Sequence, residues 1–162
     1  MLNGADALVI GGGIIGACVA DALAGAGARV TVLVAGRPGR GTSAASLAWV
    51  NSANKTPEAY HRLNAAGSAA YAALRERLGP ECGVHLEGGL NWVDSEDRRA
   101  ELRERYERLR GWGYPVEWVE PQTVMRDLAP ELQLDPEKVQ QVLHMPAEGW
   151  IDAPLFIQRL LD

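Results

Sequence analysis

The chain has 162 residues and a net charge of -5 at pH 7, and its arginines are interspersed with acids. This length allows one core with a small second lobe, and the charge pattern offers no basic patch to nucleic acid. The two cysteines lack the spacing of metal ligands. A signal peptide would begin with basic residues, but none precedes Arg29. The uncharged run from Ala7 to Ala20 is too short to span a bilayer. We therefore expect a cytoplasmic protein with no metal site, transmembrane segment or nucleic-acid partner.

A complete strand-helix-strand unit is predicted between Ala5 and Val34. The apolar run from Ala7 to Ile10 has no room to alternate and suits a strand buried on both faces. From Ile14 to Leu23, apolar residues recur at helical spacing until two nearby glycines, and a second apolar, β-branched strand begins at Arg29. Such a unit predicts the start of a Rossmann-like sheet.

Three glycines lie at the first turn of this unit, in the order G-x-G-x-x-G. Gly11 lets the chain turn sharply out of the strand, Gly13 leaves the backbone bare for a pyrophosphate, and Gly16 lets the helix lie close to the sheet. Backbone N–H groups at the positive end of the helix dipole would then bind the phosphates. Because the glycines fall in register with both strands and the helix, we predict a dinucleotide site rather than a structural turn.

The end of the second strand lacks the acid that usually accepts hydrogen bonds from the adenosine ribose. Val34 stands there, and no acid occurs between Asp21 and Glu58. Two interpretations are open. Either backbone groups and water hold the ribose, or Arg37 or Arg40 pairs with a 2'-phosphate and the ligand is NADP. Both arginines suit an ordinary solvated loop at least equally well.

The segment from Thr42 to Ser52 is rich in small and hydroxyl-bearing residues. Thr42 or Ser43 is a suitable N-cap for a short helix along which Ser46 and Trp49 lie one turn apart. One interpretation is a capped helix that packs a tryptophan. The other is a second helix start whose hydroxyl and N–H groups reach the same pyrophosphate or the flavin side of a dinucleotide.

The motifs GGGIIG, VTVL and GRGTSAASLAWVNS together resemble the amino-terminal part of the FAD-dependent amino acid oxidase and dehydrogenase family, which includes D-amino acid oxidase, glycine oxidase and sarcosine oxidase relatives. In that family the first motif binds the ADP half of FAD, and the second runs along the pyrophosphate and ribityl chain toward the isoalloxazine. The resemblance therefore implies FAD as the cofactor. The residues expected to contact the cofactor are Gly11, Gly12, Gly13, Ile14, Ile15, Gly16, Val34, Arg37, Thr42, Ser43, Ala44, Ser46, Leu47 and Ala48.

After the second motif, the sequence predicts a long helix over residues 57–78 with one apolar stripe from Tyr60 to Leu78. His61 lies beside this stripe without a second candidate ligand, so we expect it at the surface or half-buried. Residues 84–93 are predicted to form a hairpin with a two-residue turn at Gly88 and Gly89.

A highly charged helix is predicted next. Residues 94–110 contain six acids and six arginines, with pairs such as Glu101 with Arg105 at the favourable i,i+4 spacing. Its charges cancel, which is typical of a solvated amphipathic helix. The sequence then predicts a strand at 116–119 and a short helix after Glu120, and the resemblance to the same family implies a strand at 139–145, a turn at 146–154 and a helix at 155–161. This order resembles the beginning of the family's substrate domain and the return toward its FAD domain.

The predicted fold class is α/β, with a Rossmann-like FAD-binding βαβ sheet and the beginning of an α+β substrate-domain insert. The predicted domain ranges are 1–80 for the FAD-binding portion, 81–145 for the start of the insert, and 146–162 for the return turn and helix. Family members are considerably longer, so we expect this sequence to be an amino-terminal portion. Missing sheet strands would leave an unpaired edge and uncovered apolar faces, and the chain would then associate or fold poorly.

The resemblance implies an FAD-dependent oxidoreductase that oxidises the C–N bond of an amino acid or secondary amine, with the flavin accepting a hydride from the α-carbon. It assigns no catalytic residue, because in relatives those residues come largely from the later part. Glu148, Asp152, His85 and His144 have no partner identifiable from spacing and are interpreted as turn, cap or surface residues. The alternatives are a non-catalytic dinucleotide-binding or interaction subunit completed by a second chain, and an NADP-dependent reductase.

Overall fold

The computed structural model describes residues 4–162, and the chain divides into two compact units. Unit 1 comprises the chain up to Trp49 together with residues 70–85 and 150–162, and unit 2 comprises residues 50–69 and 86–149. One long helix, α2 (Glu58–Leu78), contributes its first half to unit 2 and its second half to unit 1. The domain ranges 1–80, 81–145 and 146–162 stay a prediction, because compactness does not say which segments hold a cofactor or a substrate.

The predicted strand-helix-strand unit opens unit 1. Strands β1 (Asp6–Ile10) and β2 (Arg29–Leu33) pair in parallel, with Ile10 opposite Leu33. Between them, α1 (Ile14–Gly25) packs on both strands, and the chain turns back through Gly27 with a φ of +93°. The βαβ prediction is therefore confirmed.

Later segments complete unit 1. Helix α5 (Ala153–Leu161) packs against α1 and buries Phe156, whose ring meets the Tyr71 ring edge-on at a centroid distance of 5.6 Å. Asp152 caps α5, since its side chain accepts a hydrogen bond from the Leu155 N–H at 3.1 Å. The helix accordingly begins two residues before the predicted start. A 3-10 turn, Pro80–Cys82, follows α2.

A short three-stranded sheet has the order β3 (Trp49–Val50), β8 (Gly149–Ile151) and β4 (Val84–His85). Strands β4 and β8 are antiparallel, and the rings of His85 and Trp150 stack at a centroid distance of 4.1 Å. The predicted hairpin over residues 84–93 is wrong, because β4 pairs with β8 while residues 89–91 belong to another sheet. Long-range pairing of both strands replaced the local turn.

Unit 2 has its own antiparallel sheet, in the order β5 (Gly89–Asn91), β7 (Val142–Met145) and β6 (Glu117–Val119). All residues of the central strand β7 are buried. Helix α3 (Glu96–Gly111) joins Leu102 and Leu109 to a core cluster with Leu143 and Met145. A second cluster forms around the short helix α4 (Pro121–Thr123) and the π-helical turn Val124–Leu128 that continues it.

The β1-β2 pair has one uncovered apolar face within residues 4–162. Leu8, Ile10 and Leu33 expose 60%, 78% and 56% of their surface, whereas alternate residues such as Val9 are half-buried. The expectation that β1 is buried on both faces is therefore wrong for this chain, and the expected uncovered face is present. Within the same residues, no helix is both long and apolar enough to cross a bilayer.

Candidate dinucleotide-binding site

The glycine turn leaves β1 with a backbone conformation that favours glycine. Gly11 has a φ of +113°, and its N–H donates to the Leu33 carbonyl at 2.8 Å. Gly12 is buried, and a Cβ added to it would lie 3.2 Å from a methyl carbon of Val34. The loop after β2 closes over this turn, since the Gly39 N–H donates to the Gly12 carbonyl at 2.7 Å. Sequence analysis did not select Gly39, although its φ of +77° requires the same freedom.

Gly16 has the strictest requirement for a missing side chain. A Cβ on Gly16 would lie 2.0 Å from the carbonyl oxygen of Gly11, far inside van der Waals contact. Helix α1 approaches the turn this closely only because residue 16 is glycine. The predicted role of Gly16 in close packing is therefore confirmed.

Residues 42–45 form turns and residues 46–48 have no regular structure, so the short helix predicted there is wrong. The N–H groups of Ala44 and Ala45 donate to carbonyls three residues earlier, each at 3.1 Å, and the pattern ends with a longer bond of 3.5 Å from the Ser46 N–H to the Ser43 carbonyl. Instead, the Ser46 Oγ accepts a hydrogen bond from the Ala48 N–H at 2.9 Å, and Ala48 has a φ of +48°. Serine hydroxyls that bond to nearby backbone compete with helix formation in this way.

Ser43 connects the two predicted motifs. Its Oγ accepts a hydrogen bond from the Ile14 N–H at 3.1 Å. A Cβ on Gly13 would lie 3.4 Å from the same oxygen. The glycine turn and the serine segment therefore lie together at the amino end of α1, as predicted.

The start of α1 has the donor set that an anion requires. The first N–H groups of a helix lack intrahelical partners, the N-cap Gly13 has no side chain to accept them, and the first turn contains no acid. The helix dipole adds partial positive charge at the same place. These groups fit the pyrophosphate of a dinucleotide such as FAD.

The other residues predicted to contact the cofactor differ in their exposure and in their side-chain chemistry. Val34 is half-buried beside Gly12 and offers a methyl surface, not an acceptor for ribose hydroxyls. Arg37 and the apolar Ile15 and Leu47 are exposed. Thr42, Ala44 and Ser46 are exposed as well, and Ala48 is half-buried. Their contacts with a cofactor stay a prediction.

Comparison with known proteins decides the family. The family model described as "FAD dependent oxidoreductase" matches residues 6–162. The chain belongs to this family. The prediction of an FAD-dependent oxidoreductase from the glycine and serine motifs is thereby confirmed, as is the α/β fold class.

Individual relatives agree with this assignment. The chain is 29% identical over 156 residues to glycine oxidase of Geobacillus kaustophilus (strain HTA426), covering 92% of this chain and 40% of that protein. The crystal structure of glycine oxidase from Geobacillus kaustophilus aligns with a TM-score of 0.75 at 26% identity, covering 96% and 42%. L-alpha-glycerophosphate oxidase from Mycoplasma pneumoniae, solved with FAD bound, shares the fold with a TM-score of 0.71 at 20% identity, covering 96% and 41%. The chain thus spans about 40% of its curated relative.

Sequence analysis missed a buried polar network in unit 2. Glu148 is fully buried, and its Oε1 accepts hydrogen bonds from the N–H groups of Ser52 at 2.8 Å and Ala53 at 2.7 Å. The Tyr114 hydroxyl donates to the same oxygen at 3.2 Å. Glu148 closes a turn, since its N–H donates to the Met145 carbonyl at 3.1 Å, but the expectation of a surface side chain is wrong. The partners of its carboxylate lie 34 to 96 residues away in sequence, so no local spacing identifies them.

The surroundings of Glu148 hold it in a tight space. Its Oε2 has no hydrogen-bond partner, and a Cβ on Gly89 would lie 2.9 Å from that oxygen.

Burial raises the pKa of the Tyr114 phenol well above its usual value, and the nearby Glu148 raises it further. Tyr114 therefore stays a protonated donor near neutral pH.

His61 is buried in the same network, so its expected surface or half-buried position is wrong. Its Nδ1 lies 2.8 Å from the Ser52 Oγ, and the Ser52 hydroxyl also lies 2.8 Å from the His61 carbonyl, to which it can donate. The rings of Trp112 and Tyr114 pack on the imidazole at centroid distances of 4.8 Å. The predicted apolar stripe chose the wrong face of α2, because Leu63 on that stripe is 70% exposed.

The two other histidines are also placed by the sheets. His144 on β7 is buried, and its Nδ1 lies 2.9 Å from the Glu117 carboxylate on the paired strand β6. Its interpretation as a turn, cap or surface residue is wrong. His85 is half-buried and stacks on Trp150.

Proposed function

We propose that this chain forms the FAD-binding portion of an oxidoreductase that oxidises the C–N bond of an amino acid or secondary amine. The hydrogen bond from the Ile14 N–H to the Ser43 Oγ is the observation that carries this proposal. It joins the glycine turn and the serine segment at an anion-binding helix start. Membership of an FAD-dependent family supports the cofactor, and the 29% identical glycine oxidase supports the amine substrate class.

The chain's own groups have distinct roles in this proposal. Backbone N–H groups at Gly13, Ile15 and Gly16 hold the pyrophosphate, and the Ser43 hydroxyl orients the serine segment beside it. With Val34 in place of an acid, the adenosine ribose is held by backbone groups and water. FAD, when bound, supplies the two-electron acceptor for the oxidation.

Cofactor binding is tested by titrating the full chain with FAD and measuring flavin absorbance that survives gel filtration. Gly16→Ala places a methyl group 2.0 Å from the Gly11 oxygen, whereas Gly25→Ala adds a methyl group to open space at the end of the same helix. We expect the parent chain and Gly25→Ala to retain FAD and Gly16→Ala to lose it. Equal retention by both variants, or none by the parent chain, would overturn the proposal.

The substrate class requires a separate measurement. Glycine and sarcosine are mixed anaerobically with the FAD-loaded protein, and glycolate serves as the matched compound with oxygen in place of nitrogen. We expect an amine, and not glycolate, to remove the oxidised-flavin absorbance. Reduction by glycolate alone would place the chemistry on C–O bonds instead.

Two alternatives have tests of their own. If the ligand is NADP, Arg37→Ala should weaken NADPH binding selectively. A non-catalytic subunit is favoured by the exposed Leu8, Ile10 and Leu33, which a partner chain would cover. In that case flavin retention appears only when the partner is present.

A further inference from the structure

A cleft in unit 2 is lined by several arginines of α3. Its volume is about 420 Å³, and Arg98, Arg105 and Arg108 line it together with residues near β5. Their spacing of seven and three residues places them along one face of the helix. Glu101 is the only acid among the residues that line this cleft, so positive charge is in excess.

None of the three guanidinium groups has an ion-pair partner within residues 4–162. The expected pair of Glu101 with Arg105 is not formed. The Arg108 Nε is buried without a hydrogen-bond partner, and its guanidinium carbon lies 5.8 Å from the ring centre of Trp112. A buried cationic donor without an acceptor is unfavourable, so an acceptor supplied by a ligand would stabilise this arrangement.

Like charges are held together in this cleft. Burial lowers the pKa of the Arg105 guanidinium, and repulsion from Arg108 lowers it further, while the carboxylates of Glu101 and Glu148 offset part of this effect. An anion bound between Arg105 and Arg108 would relieve the repulsion and satisfy the unpaired donors.

The rest of the lining suits a polar organic molecule. Asn54, Asn91 and Thr56 supply amide and hydroxyl groups, and Trp92 supplies an aromatic ring that is 37% exposed. A cleft of this size falls within the range of small-molecule sites, about 300–1,000 Å³. Guanidinium groups bind planar carboxylates and phosphates through two parallel hydrogen bonds.

We propose that this cleft binds a small organic anion, with its carboxylate or phosphate group held by Arg105 and Arg108 and its remaining polar groups by Asn54 and Asn91. The site lies within unit 2 and does not depend on the proposed oxidation. It is independent of FAD binding, so its failure and the failure of the proposed function are separate results.

Isothermal titration calorimetry at low salt tests the site with the full chain. The probes are succinate for carboxylates, inorganic phosphate for phosphates, and succinamide as the neutral analogue of succinate. We expect saturable binding of at least one anion and none of succinamide. The anion that binds with higher affinity identifies whether the natural ligand carries a carboxylate or a phosphate.

Variants decide whether the cleft is the binding site. Arg105→Gln and Arg108→Gln should each weaken anion binding by about tenfold or more, since each removes a charge-assisted pair with the anion. Arg110→Gln removes an exposed arginine of the same helix that does not line the cleft, and it should have little effect. Arg105→Lys keeps the positive charge but lacks the planar guanidinium group, so its anion affinity should lie between those of Arg105→Gln and Arg110→Gln.

Thermal unfolding provides a second measurement that includes a check on folding. The bound anion should raise the unfolding midpoint of the parent chain and of Arg110→Gln, but not that of the double variant Arg105→Gln, Arg108→Gln. Circular dichroism establishes that the double variant retains its helices. Absence of anion binding to the parent chain, or equal losses in Arg110→Gln and Arg105→Gln, would overturn the proposal.

Discussion

Two clusters of backbone N–H groups, one in each unit, show how the same donors serve different purposes. In unit 2, the N–H groups of Ser52 and Ala53 meet the fully buried carboxylate of Glu148. In unit 1, the start of α1 has no acid in its first turn and a glycine N-cap, and the neutral Ser43 hydroxyl accepts from the Ile14 N–H. Donors met by an internal acid stabilise the fold, whereas donors without one remain available to an anionic ligand.

Removing the internal acid should have the largest effect. Glu148→Ala leaves two buried N–H groups and the Tyr114 hydroxyl without an acceptor, and we expect the free energy of unfolding to fall by about 3–5 kcal/mol. Chemical denaturation measures the change. Glu148→Gln retains an acceptor oxygen and should lose much less. Equal losses in both variants would mean that the charge, not the acceptor geometry, stabilises this region.

The sequence predicted the donor cluster of unit 1 and not that of unit 2, and the reason is physical. The unit 1 cluster lies within one local turn, so the glycine spacing and the flanking strands identify it without further information. The Glu148 network joins residues up to 96 positions apart, and its members look like an ordinary turn acid, a serine and a lone histidine. Only the folded chain brings them together.

The errors in secondary structure have the same origin. Gly88 and Gly89 suggested a local hairpin, but each flanking strand pairs with a distant strand instead. The serine segment suggested a helix, but the Ser46 hydroxyl bonds to the Ala48 N–H and favours turns. The extents of helices α1, α2 and α3 were predicted correctly because their end signals are local, although the apolar stripe misplaced the buried face of α2.

Adding a methyl group at Gly16, beside the donor cluster of unit 1, should have the next largest effect on stability. Gly16→Ala forces α1 away from the Gly11 carbonyl, and we expect a loss of about 2–3 kcal/mol in the free energy of unfolding. Gly25→Ala should be neutral or slightly stabilising, because its methyl group meets open space and reduces the freedom of the unfolded chain. Denaturant titration of both variants checks this. A loss in Gly25→Ala as large as in Gly16→Ala would show that the clash is not the cause.

Tyr114→Phe should give a smaller effect that depends on pH. Near neutral pH the variant loses one hydrogen bond to Glu148, about 1 kcal/mol. The pKa of Tyr114 is raised in the folded state, so its contribution is fully present below the unfolded pKa of about 10 and is lost as pH rises above it. The difference between the parent chain and the variant should therefore narrow above about pH 10. Tyr60→Phe is the control, because Tyr60 is half-exposed. A stability difference between the parent chain and Tyr114→Phe that stays constant across pH would contradict the prediction.

Ser43→Ala should have the smallest effect on stability. The contrast with Glu148→Ala is the clearest difference between the donor clusters of unit 1 and unit 2. The Ser43 Oγ accepts from one N–H in a part-buried setting, so water can replace it, and we expect a loss below about 1 kcal/mol. FAD retention should nevertheless decrease, because the serine segment is no longer tied to the glycine turn. Ser95→Ala is the matched control, since Ser95 precedes α3 without a capping side-chain hydrogen bond. A stability loss in Ser43→Ala as large as that in Glu148→Ala would mean that the start of α1 is an internally satisfied structural turn, as the Ser52–Ala53 segment is.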